Sequence, residues 1–192
     1  VPEQYPKFTD AELDDLRGKT YQEVAFNILR TFITDIPEGD LQKLIARTYT
    51  KEVFGTPEIT PLKNLENGLS LLQLSNGPTL AFKDVPLQLV GNLMEYVLAE
   101  KGGELNILGA TSGDTGSAAA YALKGRKGIR LFMLSPYGRM SRFQQRQMYT
   151  LNEENIFNIV VTGTFDDCQT IVKEANADAE FKTKYKLGAV NS

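Results

Sequence analysis

The spacing of apolar positions along the chain has two textures. Over residues 1–56 apolar side chains recur at helical intervals and no strand period appears. Thr9 with Glu12, and Thr20 with Glu23, fit the capping box, in which each side chain satisfies the other residue's free backbone N–H. From Thr20, the positions Val24, Phe26, Ile28, Leu29, Phe32 and Ile33 predict an amphipathic helix that stops near Pro37. Asp40 opens a second helix, with Leu41, Leu44, Ile45 and Tyr49 inward.

After "FGTPEITPL" the period changes. "LSLLQLS" (69–75) reads as a short strand running into "GPTLAFKD" (77–84). Asp84 is placed to cap a helix with Pro86 in its first turn. Its core face would be Leu87, Val90, Leu93, Met94, Val97 and Leu98, and Gly102-Gly103 ends it. Then come strand 105–110, a helix from about Thr115, strand 129–134, a helix from Ser141, strand 156–161 and a helix from 164 to about 186. Ser141 with Gln144 and Thr164 with Asp167 supply two more capping boxes. Apolar strands alternating with helices predict an α/β fold, an open and mostly parallel sheet with flanking helices, preceded by a helical N-terminal region. We divide the chain into a helical region at 1–57 and the first part of an α/β domain at 58–192, with βαβ units over about 104–187. The chain stops at "LGAVNS", where such a sheet would continue, and starts as abruptly, so we expect a piece of a larger protein.

Composition narrows the chemistry. There are 21 basic and 24 acidic residues, a formal charge of −3, which leaves no footprint for nucleic acid. No apolar stretch reaches the ~18–20 residues of a membrane span, and the N-terminus is not a signal peptide. One cysteine excludes an internal disulfide and suits a cytoplasmic location. There is no histidine. The usual zinc sites, Ser-His-Asp chemistry and Cys-His chemistry therefore drop out, and acid–base or covalent work would rest on Lys, Asp, Glu, Tyr or Cys168. We expect no metal site.

In open α/β sheets ligands bind at the carboxyl ends of strands. The informative loop there is "GATSGDTGSAAA" (109–120), whose small residues admit a ligand to the backbone and whose following helix offers free N–H groups to an anion. A plainer reading, in which Ser112 or Asp114 caps the helix and the glycines make the turn, fits the spacing as well. Neither G-x-G-x-x-G nor G-x-x-x-x-G-K-[ST] occurs. Arg139, Arg142 and Arg146 cluster after "SPYG"; a solvated basic face accounts for them better than an anionic ligand does, and both stay open. Lys83 follows Leu80, Ala81 and Phe82 and precedes a helix start. Apolar neighbours and the positive end of a helix both disfavour an ammonium, and a neutral amine is a nucleophile toward carbonyl compounds. A lysine snorkelling to solvent explains the same residues.

"GPTLAFKD", "GATSGDTGSAAA" and the final "AVNS" together resemble the threonine synthase family. These are pyridoxal-phosphate enzymes of the tryptophan-synthase-β structural class, fold type II. The likeness runs from about Val1 to Ser192. It implies that Lys83 carries pyridoxal 5'-phosphate as a Schiff base. It also implies that Thr111, Ser112, Gly113, Asp114, Thr115 and Gly116 hold the substrate's carboxylate and part of the cofactor, with Asp114 near the pyridine hydroxyl. Relatives elsewhere in the class often carry Asn where this chain has Asp114. The glycine-rich loop that holds the cofactor phosphate in the family would lie beyond Ser192. The implied reaction converts O-phospho-L-homoserine and water to L-threonine and phosphate, with Lys83 as the base and Arg139 and Arg142 toward the substrate phosphate. The enzyme would be a monomer or homodimer, and the fragment alone inactive. The alternatives are another fold type II enzyme, such as a serine/threonine deaminase or a sulfhydrylase, or a silent anion-binding homologue.

Overall fold

The computed structural model describes residues 4–189, so residues 190–192 of the final motif lie outside the described residues. Two compact units divide the chain, one up to Asn76 and one from Gly77 on.

The described residues of the first unit form α1 (Asp10–Asp15), α2 (Tyr21–Leu29), α3 (Glu38–Thr48) and α4 (Lys51–Phe54). Both predicted capping boxes form: Thr9 N–H donates to Glu12 at 2.8 Å and Thr20 N–H to Glu23 at 2.7 Å. The helix after Thr20 is shorter than its apolar pattern, because the chain turns at Arg30 and leaves Phe32 half exposed. The next helix opens two residues earlier than Asp40. Pro37 takes the cap position, where its missing N–H costs nothing, and its carbonyl accepts from Asp40 and Leu41. Leu41, Leu44 and Ile45 are buried as expected, and Tyr49 packs edge-on against Tyr21 with ring centroids 4.9 Å apart. Strands β1 (Leu62–Asn64) and β2 (Ser70–Leu72) form an antiparallel hairpin around a short 3-10 turn at Glu66–Gly68. The predicted strand at 69–75 is thus confined to its first half, Ser70–Leu72.

The second unit is the α/β part. In chain order it comprises α5 (Asp84–Lys101), β3 (Leu105–Ala110), α6 (Asp114–Leu123), β4 (Ile129–Pro136), α7 (Arg142–Tyr149), β5 (Ile156–Val161), α8 (Phe165–Ala177), α9 (Ala179–Lys184) and β6 (Leu187–Gly188). The sheet order is β5-β4-β3-β6, parallel throughout, with Ile107 beside Leu131 and Leu131 beside Ile156. That register places Ile107, Leu131 and Ile156 on one face. They bury against Leu87 of α5, Ala118, Ala119 and Leu123 of α6, and Met148 of α7. Helix α8 lies against β3 and β4 and buries Cys168 completely, so that thiol is a packing group.

Three sequence expectations are corrected. Val97 is exposed, although its neighbours Met94 and Leu98 on the same helix pack against the core. The last helix is broken: Asp178 leaves the helical conformation and caps α9 by accepting from Phe181 N–H. Residues 77–83 form turns, so Lys83 follows a turn and not a strand. Parallel pairing explains what matters next. The segments after β3, β4 and β5 all leave the sheet at one end, as do the N-termini of α6, α7 and α8.

Candidate active site

The turn 77–83 owes its shape to a buried acid. Asp84 is the first residue of α5, with Lys83 in the cap position and no side-chain cap bond. The Asp84 carboxylate reaches back instead, accepting from Thr79 N–H and Thr79 Oγ1, each at 2.8 Å. It is fully buried, and burial raises its carboxyl above the usual range against the opposing effect of these hydrogen bonds. The fold therefore corrects the reading of Asp84 as a helix cap: it is the knot of the turn that presents Lys83.

Lys83 itself is half-buried, with its Nζ 5.3 Å from the centroid of the Phe82 ring. Among the described residues it has no carboxylate partner. Of its apolar neighbours, Ala81 is buried while Leu80 and Phe82 are mostly exposed. The apolar run therefore does not enclose the amine; it offers one aromatic face to it.

In the 111–116 loop neither Ser112 nor Asp114 caps α6. Thr111 organises the turn. It is buried, its N–H donates to Leu134 in β4, and its hydroxyl accepts from Gly113 N–H at 3.0 Å and Gly116 N–H at 2.8 Å. Ser117 N–H goes to the Gly113 carbonyl. The N–H groups of Ser112, Asp114 and Thr115 have no acceptor among the described residues. Three free donors at the positive end of a ten-residue helix suit a carboxylate or phosphate oxygen. Two glycines make this possible. A Cβ at Gly116 would lie 2.4 Å from Thr111 Cγ2, and one at Gly113 would lie 2.2 Å from the Gln144 amide.

That amide is a group the sequence reading used only as a helix cap. Gln144 Oε1 does accept from Ser141, while its Nε2 donates to Asp114 Oδ1 at 2.7 Å. One helical turn on, Gln147 Nε2 donates to the Thr79 carbonyl at 2.8 Å. Helix α7 thus touches both turns. Only the three-residue spacing of the two glutamines signals this in the sequence.

Ser112 and Asp114 are exposed, Thr115 is half-buried, and Gly113 and Gly116 are buried. Arg139, Arg142 and Arg146 are all exposed. Arg139 sits close enough to Asp167, in the first turn of α8, to help hold that carboxyl below its usual range, after the Thr164 hydrogen bonds. Arg142 and Arg146 lie one turn apart on α7.

Comparison with known proteins bears on the same segments. The family model described as the threonine synthase N terminus matches residues 1–49. The chain is 55% identical over its whole length to threonine synthase of Methylobacillus glycogenes and 50% identical to that of Corynebacterium glutamicum, covering 42% and 41% of those proteins. A crystal structure of PLP-bound threonine synthase from Brucella melitensis superposes on all of it with a TM-score of 0.91 at 42% identity, the chain covering 41% of that structure. It spans about two-fifths of the length of the relatives it matches. With a parallel sheet and flanking helices like theirs, this chain matches threonine synthases along its whole length and has their fold type II architecture.

Proposed function

We propose that these residues form the lysine-bearing part of a threonine synthase, which converts O-phospho-L-homoserine and water to L-threonine and phosphate. The cofactor would be pyridoxal 5'-phosphate, held covalently by Lys83. The observation that carries this reading is a lysine free of carboxylates on one turn and three free N–H donors on another, both fastened to α7. The donor set fits such a group. A lysine against an aromatic ring keeps its amine unpaired, and a helix N-terminus with open N–H groups takes a carboxylate.

When bound, the cofactor supplies an electron sink for the carbon bearing the substrate's amine. The protein's part is binding and proton transfer. The free N–H groups of Ser112, Asp114 and Thr115 would orient the substrate's carboxylate. Lys83, once its amine is free, would move protons at Cα and Cβ, a task no histidine here could share. Asp114 would meet the cofactor's ring hydroxyl, as a carboxylate accepting from it. Thr111 would act through the turn, since its hydroxyl is already engaged by two N–H donors. Arg139 and Arg142 would receive the substrate phosphate, for which exposed guanidinium groups suit bidentate contacts. None of the described helices is long and apolar enough to cross a membrane; the proposed setting is the cytoplasm, as monomer or homodimer. The 192 residues alone, without the family's glycine-rich phosphate loop, would hold cofactor weakly and be inactive.

Borohydride reduction of the full-length protein, followed by peptide mapping, tests the reading. Cofactor should be trapped on Lys83, and phosphate should be released from phosphohomoserine, whereas serine should yield neither ammonia nor a keto acid. Lys83→Ala and Lys83→Arg should each abolish trapping and turnover with the fold intact, because a guanidinium stays protonated. Trapping on another lysine, or activity in the alanine variant, would overturn it.

A further inference from the structure

Helix α7 is an unusual element to find touching both turns, because little of it is buried. Met148 alone of its residues is in the core, whereas Phe143 and Tyr149 are largely exposed. Its attachments are polar. At its C-terminal end the Met148 carbonyl accepts from Asn158 Nδ2 of β5 at 3.1 Å, and Tyr149 shares a 2.8 Å hydrogen bond with Ser135 of β4. At its N-terminal end the Met140 carbonyl accepts from Gln145. The Asn158 and Ser135 contacts fix α7 to the sheet. What remains is the face carrying Gln144 and Gln147, and each of these donates to a different turn, across 30 and 68 residues of sequence.

We propose that Gln144 and Gln147 are positioning residues, a two-point brace by which the sheet-anchored α7 sets the Lys83 turn and the 111–116 loop relative to each other. Gln147 acts through the Thr79 carbonyl. Thr79 is the residue whose N–H and hydroxyl the Asp84 carboxylate holds, so the bond closes on the knot of the turn that presents Lys83. Gln144 acts on Asp114 directly. Its amide is oriented from the other side, because Oε1 is committed to Ser141 and only Nε2 is left for Asp114. The amide also fills the space where a Cβ on residue 113 would sit, so the loop is held by contact as well as by hydrogen bonding. A lysine and an anion site serve one substrate only when their separation is held to a fraction of an ångström, and a single helix touching both turns supplies that constraint. The consequence for catalysis rests on the proposed function; the brace itself does not.

Hydrogen exchange of the cofactor-free full-length protein, read by mass spectrometry, tests the brace without relying on activity. Gln147→Glu turns a donor into an acceptor facing a carbonyl. Gln144→Glu keeps the Ser141 capping contacts but sets a carboxylate against Asp114. Gln147→Glu should speed exchange of the amides at 80–87 by about fivefold or more, and Gln144→Glu that of 113–117 by a similar factor, the scale of one lost hydrogen bond. Amides of β3 and of the buried part of α6 should keep wild-type rates. Gln147→Lys, which retains an N–H donor, should return 80–87 to within about twofold of wild type. Wild-type rates in both turns, or acceleration spread evenly over the chain, would overturn the brace, and so would a lysine variant no better than the glutamate one. If exchange follows the expected pattern while the wild-type protein takes up no pyridoxal phosphate, the brace stands and the proposed function falls.

Discussion

Replacing Gly116 with alanine should destabilise the protein by overpacking the 111–116 loop. The new Cβ would lie 2.4 Å from Thr111 Cγ2 and 2.8 Å from both Thr111 Cβ and Oγ1, far inside normal contact. Thr111 cannot swing aside, being 1% exposed, and its hydroxyl holds the N–H groups of Gly113 and Gly116 at 3.0 and 2.8 Å. Overpacking of a tight core site costs about 1–3 kcal/mol. Displacing Thr111 forfeits two hydrogen bonds of about 1 kcal/mol each. A loss of roughly 3–5 kcal/mol follows if both occur, read as a fall in the urea midpoint by circular dichroism with the slope unchanged. Thr111→Ser tests the cause, because it deletes the nearest clashing atom and keeps the hydroxyl. Alone it should cost about 1 kcal/mol for the lost methyl. In the double variant it should recover about 1 kcal/mol of the Gly116→Ala loss, a coupling that independent sites would not show. A Gly116→Ala protein within about 0.5 kcal/mol of wild type, or a double variant that is simply additive, would refute this account of the loop.

Two other perturbations bear on the turns and caps. Asp84→Ala leaves the buried Thr79 N–H and hydroxyl without their acceptor and should cost about 2–4 kcal/mol in urea denaturation, whereas Asp84→Asn keeps one acceptor and should cost less. Because burial raises the Asp84 carboxyl above 3.8 in the folded chain, its contribution is full below that value and is lost as pH rises through the raised one. Wild type should therefore lose stability relative to Asp84→Asn across that window, and a difference that grows with pH instead would contradict the assignment. Thr164→Ala should cost about 1 kcal/mol by removing the cap of α8, and Thr164→Ser should be near neutral; equal effects of the two would show that the hydroxyl is not what matters.

Local chemistry made much of this protein legible from its sequence. The four capping boxes are contained within four-residue windows, and each formed where the residues predicted it. The parallel sheet followed from apolar runs such as 105–110 and 129–134, since strands covered on both faces need no polar alternation. The quoted motifs also pointed to the family whose members the chain matches along its length. Long-range contacts decided the rest. Asp84 looked like a cap because a carboxylate before a helix usually is one, but it bonds backward to Thr79 across a turn that only the fold closes. Asp178 breaks the last helix so that the chain can return to pair β6 with β3, a gain invisible to helix periodicity. Ser112 and Asp114 were the natural capping candidates, yet Thr111 took that work because its N–H is tied to Leu134 in the neighbouring strand, which aims its hydroxyl into the turn. Gln144 could be read as a cap from its own helix. That its remaining N–H meets Asp114, thirty residues away, depends on where the parallel sheet sets α6 and α7 side by side.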